Sequence, residues 1–177
     1  MVKRCTREVC NEADFKKNRS DLQKSDTVVL FMGEEEAAAG GKKLPGAFSH
    51  FEKTIDLSFF KGRQSEIIFV PFADRPNLIL CGTGKEKQRD AESVRRCAAA
   101  VASQCRDRAI ELVHVPLPAV GGLDADAALS AISEGLYLGN YSFDRYKTRK
   151  NDNGKALLSG AVFYGGSLAI YFLGVKD

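Results

Sequence analysis

"IIFVPFADRPNLILCGTGK", Ile67 to Lys85, is the stretch on which the reading of the fold turns. Two apolar, β-branched runs, Ile67–Phe72 and Leu78–Lys85, read as strands, the second running into a glycine turn. Between them Pro76 fixes its own φ and pushes Arg75 towards extended geometry, which marks a turn. A parallel crossover needs a dozen or more residues, so strands this close in sequence are expected to pair antiparallel.

Outward from this pair, the chain alternates. Upstream, "TVVLFM" (Thr27–Met32) reads as a buried strand, and "GEEEAAAGGKK" after it as a loop with room for a helical turn. Ala47, Phe48, Phe51 and Ile55 then stand at the spacing of a short helix. Downstream, Arg89 to Arg106 gives the clearest helix, with an apolar stripe of Val94, Cys97, Ala98, Val101 and Cys105. "IELVHVPLP" (Ile110–Pro118) is a further strand. Asp124 sits where an N-cap is wanted, before a second helix whose stripe is Ala128, Leu129, Ile132, Leu136 and Phe143. Strand, short helix, two strands, helix, strand, helix argues for an α/β domain with a mixed sheet.

Composition excludes several classes. With 177 residues, 44% hydrophobic and 28% charged, the chain is expected to be globular, with enough apolar content for one core. Twenty-six basic residues against twenty-three acidic ones leave a charge of +3, too little for a dedicated nucleic-acid binder. The five cysteines are odd in number and contain no Cys-x-x-Cys, which argues against a disulfide framework or zinc knuckle and for a reducing, cytoplasmic setting. Residues 1–25 read as a polar leader with no apolar segment of the signal-peptide kind.

The motifs that invite chemistry are each better explained structurally. "GTGK" (Gly82–Lys85) lacks the spacer and the Ser or Thr of a phosphate-binding loop. "VGGLDADAA" (Val120–Ala128) leads into a helix N-terminus, but Asp124 and Asp126 satisfy that dipole and repel phosphate. His114 lies within an apolar strand and His50 on the wet side of the short helix, and neither belongs to a metal-ligand spacing. The acidic run Glu34–Glu36 reads as a solvated loop. "ALLSGAVFYGGSLAIYFLGV" (Ala156–Val175) is uncharged over a length that could span a bilayer, yet its glycines and interior tyrosines favour a hairpin, or one strand and a displaced segment. No residue is assigned as catalytic, cofactor-binding or metal-binding.

Three pieces in order resemble the N-terminal domain of the cytosol (leucine) aminopeptidase family, the two-domain zinc exopeptidases. These are "FFKGRQSE" (Phe59–Glu66), "LILCGTGK" and, most sharply, "EGLYLGNYSFDRYKTRK" (Glu134–Lys150). The resemblance implies a three-layer, macro-like α/β domain over 26–150, with 151–177 as an atypical apolar, glycine-rich tail. It places "NYSFDRYKTRK" (Asn140–Lys150) at the exit towards a catalytic domain. Phe143 would then pack inward, and Arg145, Lys147, Arg149 and Lys150 would load the helix C-terminus with cations.

The family's "NTDAEGR" signature and its upstream metal motif are absent from these residues. The two divalent ions, zinc or manganese, are therefore expected only in a catalytic domain that this sequence does not contain, and the polypeptide alone is expected to be inactive. The resemblance implies a role in subunit assembly, with a second copy or an aminopeptidase catalytic domain as partner. It also admits two alternatives: an ADP-ribose or nucleotide-binding macro-like module, and a DNA-binding accessory domain acting through Arg145, Lys147 and Arg149. A membrane partner is disfavoured.

Overall fold

The computed structural model describes residues 26–39, 57–117, 123–141 and 158–164. Within them a five-stranded mixed sheet runs in the order β2-β3-β1-β4-β5. The strands are β1 (Thr27–Met32), β2 (Ile67–Val70), β3 (Asn77–Gly82), β4 (Leu112–Pro116) and β5 (Gly160–Tyr164). β2 pairs antiparallel with β3, from Ile67 opposite Cys81 to Val70 opposite Leu78, as the short link requires. All other pairings are parallel. β1 is central and buried at every residue, which is why it reads as a continuous apolar run.

Among the described residues three α-helices accompany the sheet: α1 (Glu34–Ala38), α2 (Ala91–Asp107) and α3 (Ala125–Asn140). α2 and α3 lie together against one face, over Val29, Phe31, Ile79, Cys81, Val113, Val115, Ala161 and Phe163. The other face buries Val28, Leu30, Leu78, Leu80, Val162 and Tyr164 together with Phe60 and Ala37. Strand residues therefore alternate between two cores, following the two-residue side-chain period.

Local chemistry sets the helix limits. Asp90 caps α2: its carboxylate accepts the Ser93 amide at 2.7 Å, and the Ser93 hydroxyl accepts the Asp90 amide at 2.9 Å. Asp124 caps α3 as its position predicts, accepting the Ala127 amide at 2.7 Å. The two helices touch through small residues. A Cβ added at Gly135 would lie 2.2 Å from the Arg95 carbonyl oxygen, and one at Gly139 would lie 2.3 Å from that of Ala99. Arg95 spans the pair, bonding Glu92 on its own helix and Glu134 on the other.

One sequence expectation is revised. α3 ends at Asn140, and Tyr141 is already extended at φ −68°, ψ 122°, so the helical stripe does not run on to position 143. The acidic run at Glu34 forms the helical turn expected within that stretch, with Glu36 reaching back to the Gly33 amide. The apolar stretch beyond residue 150 supplies one strand, β5, which pairs parallel with β4. The proposed helix around Phe48 and Phe51, His50, Phe143 and the cations at 145–150 lie outside the described residues, as do 1–25 and most of the tail. Among the described residues no helix is long and apolar enough to cross a membrane.

Candidate functional site

In a sheet of this kind ligands bind in the loops beyond the C-terminal ends of the parallel strands. Here that edge carries Gly33 after β1 and Thr83–Lys85 after β3, packed on Gly62 and Arg63. The approach is close: a Cβ at Gly82 would lie 2.0 Å from the Arg63 carbonyl oxygen. Gly62 holds φ +71° against the Gly33 carbonyl, a conformation and a contact that only glycine accommodates.

The amides of this edge are already engaged. Thr83 donates to the Met32 carbonyl at 2.9 Å, Gly84 to Gly62 at 2.9 Å and Glu34 to Gly84 at 3.1 Å. Three glutamates take neighbouring amides. Glu35 accepts from the Glu86 amide at 3.0 Å and from the Arg89 guanidinium at 2.9 Å. Glu36 accepts from Gly33 at 2.9 Å, and Glu66 from the amides of Lys61 and Arg63 at 3.2 and 3.0 Å. The Glu86 amide first, and Arg89 in addition, hold the Glu35 carboxyl below its usual range. Arg89, only 4% exposed, also donates to the Gly84 carbonyl, so it serves to knit the loops. A phosphate entering the "GTGK" turn would have to break the backbone bonds of the Gly82, Thr83 and Gly84 amides to carbonyl oxygens, beside carboxylates that hold the neighbouring amides.

A second polar group lies in the sheet itself. His114 is buried on β4, with Nδ1 2.7 Å from the Tyr164 hydroxyl on β5 and Nε2 3.7 Å from the Asp26 carboxylate at the start of β1. Nε2 makes no hydrogen bond. Burial holds the imidazole below its ordinary pKa, opposed by the charge of Asp26, and pushes the Tyr164 phenol up to about 12. The imidazole thus ties β4 to β5 through one nitrogen and, against the expectation of a satisfied core histidine, leaves the other without a hydrogen bond. Among the described residues no three of His, Cys, Asp and Glu are grouped to hold a metal ion.

The third feature is the exit from α3. Asn140 is buried, and its side chain both accepts from the Leu158 amide at 2.9 Å and donates to the Leu158 carbonyl at 2.8 Å. It thereby fixes the entry to β5. Arg106 on α2 donates to the Gly139 carbonyl at 3.1 Å, so a cation from the neighbouring helix complements the C-terminus of α3. Tyr137, Leu138 and Tyr141 are 51%, 58% and 68% exposed at this end, a cluster of large apolar side chains on the surface. Sequence reasoning missed Asn140, Arg89, Glu35 and Glu66 as organising residues. Their partners lie far along the chain or in irregular loops, where no periodicity points to them.

Comparison with known proteins places this arrangement. The family described as "Cytosol aminopeptidase family, N-terminal domain" matches residues 27–150. A probable cytosol aminopeptidase of Aquifex aeolicus is 28% identical over 145 residues, covering 80% of this chain and 29% of that protein. Its counterpart in Pseudomonas aeruginosa is 32% identical over 142 residues, covering 75% of this chain and 28% of that protein. This chain thus spans under a third of the length of these relatives. Among solved structures, a mutant of tomato leucine aminopeptidase superposes with a TM-score of 0.62 at 18% identity, over 81% of this chain and 30% of that one. The bottromycin maturation enzyme BotP gives 0.55 at 22% identity, over 79% of this chain and 27% of that one. These two likenesses carry the fold alone. The sequence match over 27–150, on a mixed sheet whose strand-end loops are closed by their own carboxylates, shows that the chain belongs to the cytosol aminopeptidase family through its N-terminal domain.

Proposed function

We propose that this chain is a non-catalytic assembly domain of a cytoplasmic metallo-aminopeptidase, docking the catalytic part of such an enzyme through the exposed end of α3. The parent activity would be removal of N-terminal residues from peptides, with its two divalent metals held outside this sequence. The observation that carries the reading is the cluster Tyr137, Leu138 and Tyr141. Exposed tyrosines and a leucine in one place mark an interaction surface, and tyrosine is a frequent anchor at protein interfaces. The cluster lies just before the end of the family match at residue 150, and the relatives are more than three times as long as the matched part. A catalytic region is therefore the occupant that chain geometry favours over an unrelated partner. The nucleotide-binding alternative finds no support in the described loops after β1 and β3, where the Gly33, Thr83 and Gly84 amides are bonded within the chain.

Sedimentation velocity with the unmatched remainder of the Aquifex aeolicus relative tests the proposal. A complex is expected, weakened at least about tenfold by Leu138→Glu with Tyr137→Ser, since each 1.4 kcal/mol lost is a factor of ten. Absence of any complex, with this chain monomeric throughout, would refute it.

A further inference from the structure

We propose that β2 is a strand-addition edge for a second copy of this chain, which pairs antiparallel about a two-fold axis at Ile68 and continues the sheet from one copy into the other. This surface is separate from the exposed end of α3. Among the described residues β2 is the last strand of its sheet, and nothing pairs with its outer edge. Neighbouring bonds fix which backbone groups point there. Gly82 donates to the Glu66 carbonyl at 2.8 Å, on the β2 side, and Asn77 to the Asp26 carbonyl at 2.8 Å, on the β1 side. Backbone groups alternate between the two sides of a strand, so Leu78 and Leu80 face β2, and their opposites Val70 and Ile68 face β3. The amides and carbonyls of Ile67 and Phe69 therefore point outward.

The ends of the strand decide the register. Pro71, the next outward position, has no N–H to give. The Ser65 amide is spent on the Gly82 carbonyl at 3.0 Å, in a turn where Ser65 holds a left-handed φ of +59°. Outward donors thus remain at Ile67 and Phe69. A second copy turned about an axis at Ile68 sets its Phe69 opposite Ile67 and its Ile67 opposite Phe69, so that every one of these donors finds a carbonyl. Centring the axis on Ile67 or Phe69 instead leaves half of them unpaired.

The side chains favour a second copy over another extended segment. A two-fold axis brings each residue near its own counterpart, so a charge on the strand would repel itself. "IIFV" (Ile67–Val70) carries none, is half-buried throughout, and lacks the lysine or internal proline that protects an open edge. On the helix-covered face Ile67 and Phe69 would meet across the axis, with Arg108 stacked at 4.8 Å over the Phe69 ring to hold it in place. On the other face Ile68 would meet Ile68. The pairing consumes the β2 edge of both copies, so it closes at a dimer and does not propagate.

An edge of four residues is a small contact, so the expected dimer is weak and reversible, and sedimentation equilibrium of the full chain follows it from about 10 μM to about 1 mM. Amide exchange read by NMR over the same range needs no substitution. The Ile67 and Phe69 amides should gain about threefold protection or more at the upper concentration, while Ile68 and Val70 are protected throughout. Ile68→Lys and Ile68→Glu should each weaken association about tenfold, because like charges meet at the axis. An equimolar mixture of the two should restore it to within about threefold of the unsubstituted chain. The dimer should persist in Leu138→Glu with Tyr137→Ser. A monomer across the whole range, exchange at Ile67 and Phe69 that ignores concentration, no recovery in a mixture of folded variants, or loss of the dimer on changing the α3 surface would each overturn the proposal.

Discussion

At the scale of single residues, His114 and Asn140 couple the elements most tightly. His114 sits neutral between Tyr164 and Asp26, and its folded pKa lies below its unfolded value because burial penalises the imidazolium. The sign is then fixed. The stability it contributes is present above the unfolded pKa of about 6.5 and is lost as pH falls from there towards the lower folded value. Urea titrations are expected to give a lower unfolding free energy at pH 5 than at pH 7.5, with part of that difference gone in His114→Phe. Equal slopes in the two proteins would remove His114 from the account. For Asn140, truncation leaves a buried amide and carbonyl at Leu158 without partners. Asn140→Ala is expected to cost about 2–3 kcal/mol, read as a lower denaturant midpoint, with loss of hydrogen-exchange protection concentrated in β5. The burial of His114 was legible because its neighbours in sequence are apolar. Asn140 was not, because its value comes from a strand eighteen residues further on.

At the scale of elements, the helices were readable because their signals are local. The stripe Val94, Cys97, Ala98, Val101 and Cys105 is buried as its spacing predicts, and Asp124 caps α3. What escaped the pattern was the reason for Gly135 and Gly139. A glycine pair four apart lowers helix propensity, and only the facing backbone of α2 at Arg95 and Ala99 explains it. Gly139→Leu should push the helices apart and destabilise the domain by about 1–3 kcal/mol, measured as a fall in the thermal midpoint. Gly139→Ala should cost less, because a single methyl forces a smaller displacement. The end of α3 was misjudged for a related reason: Phe143 keeps helical phase in sequence, while the backbone turns extended at Tyr141 so that Asn140 can hold the returning strand.

At the scale of the whole molecule, the prediction is of chemistry that this polypeptide does not perform alone. Incubation with leucine p-nitroanilide and manganese is expected to give no turnover above buffer, because a two-metal mechanism needs a cage of carboxylates that these residues do not supply in the described structure. Calorimetry with ADP-ribose is expected to show no binding heat, since Glu35, Glu36 and Glu66 already hold the amides of Glu86, Gly33 and Arg63 in the described loops beside β1 and β3. The α/β class, the mixed sheet and the antiparallel β2–β3 pair were written in the sequence itself. Each depends on side-chain periodicity and link length, which are local properties of the chain. Only the tertiary structure decided that β5 joins beside β4, that Arg89 and three glutamates close the glycine loops, and that Tyr137, Leu138 and Tyr141 stay exposed. Those outcomes depend on which distant segments meet, and a hydrogen bond or a buried surface across such a distance leaves no trace in the spacing of residues along one strand or helix.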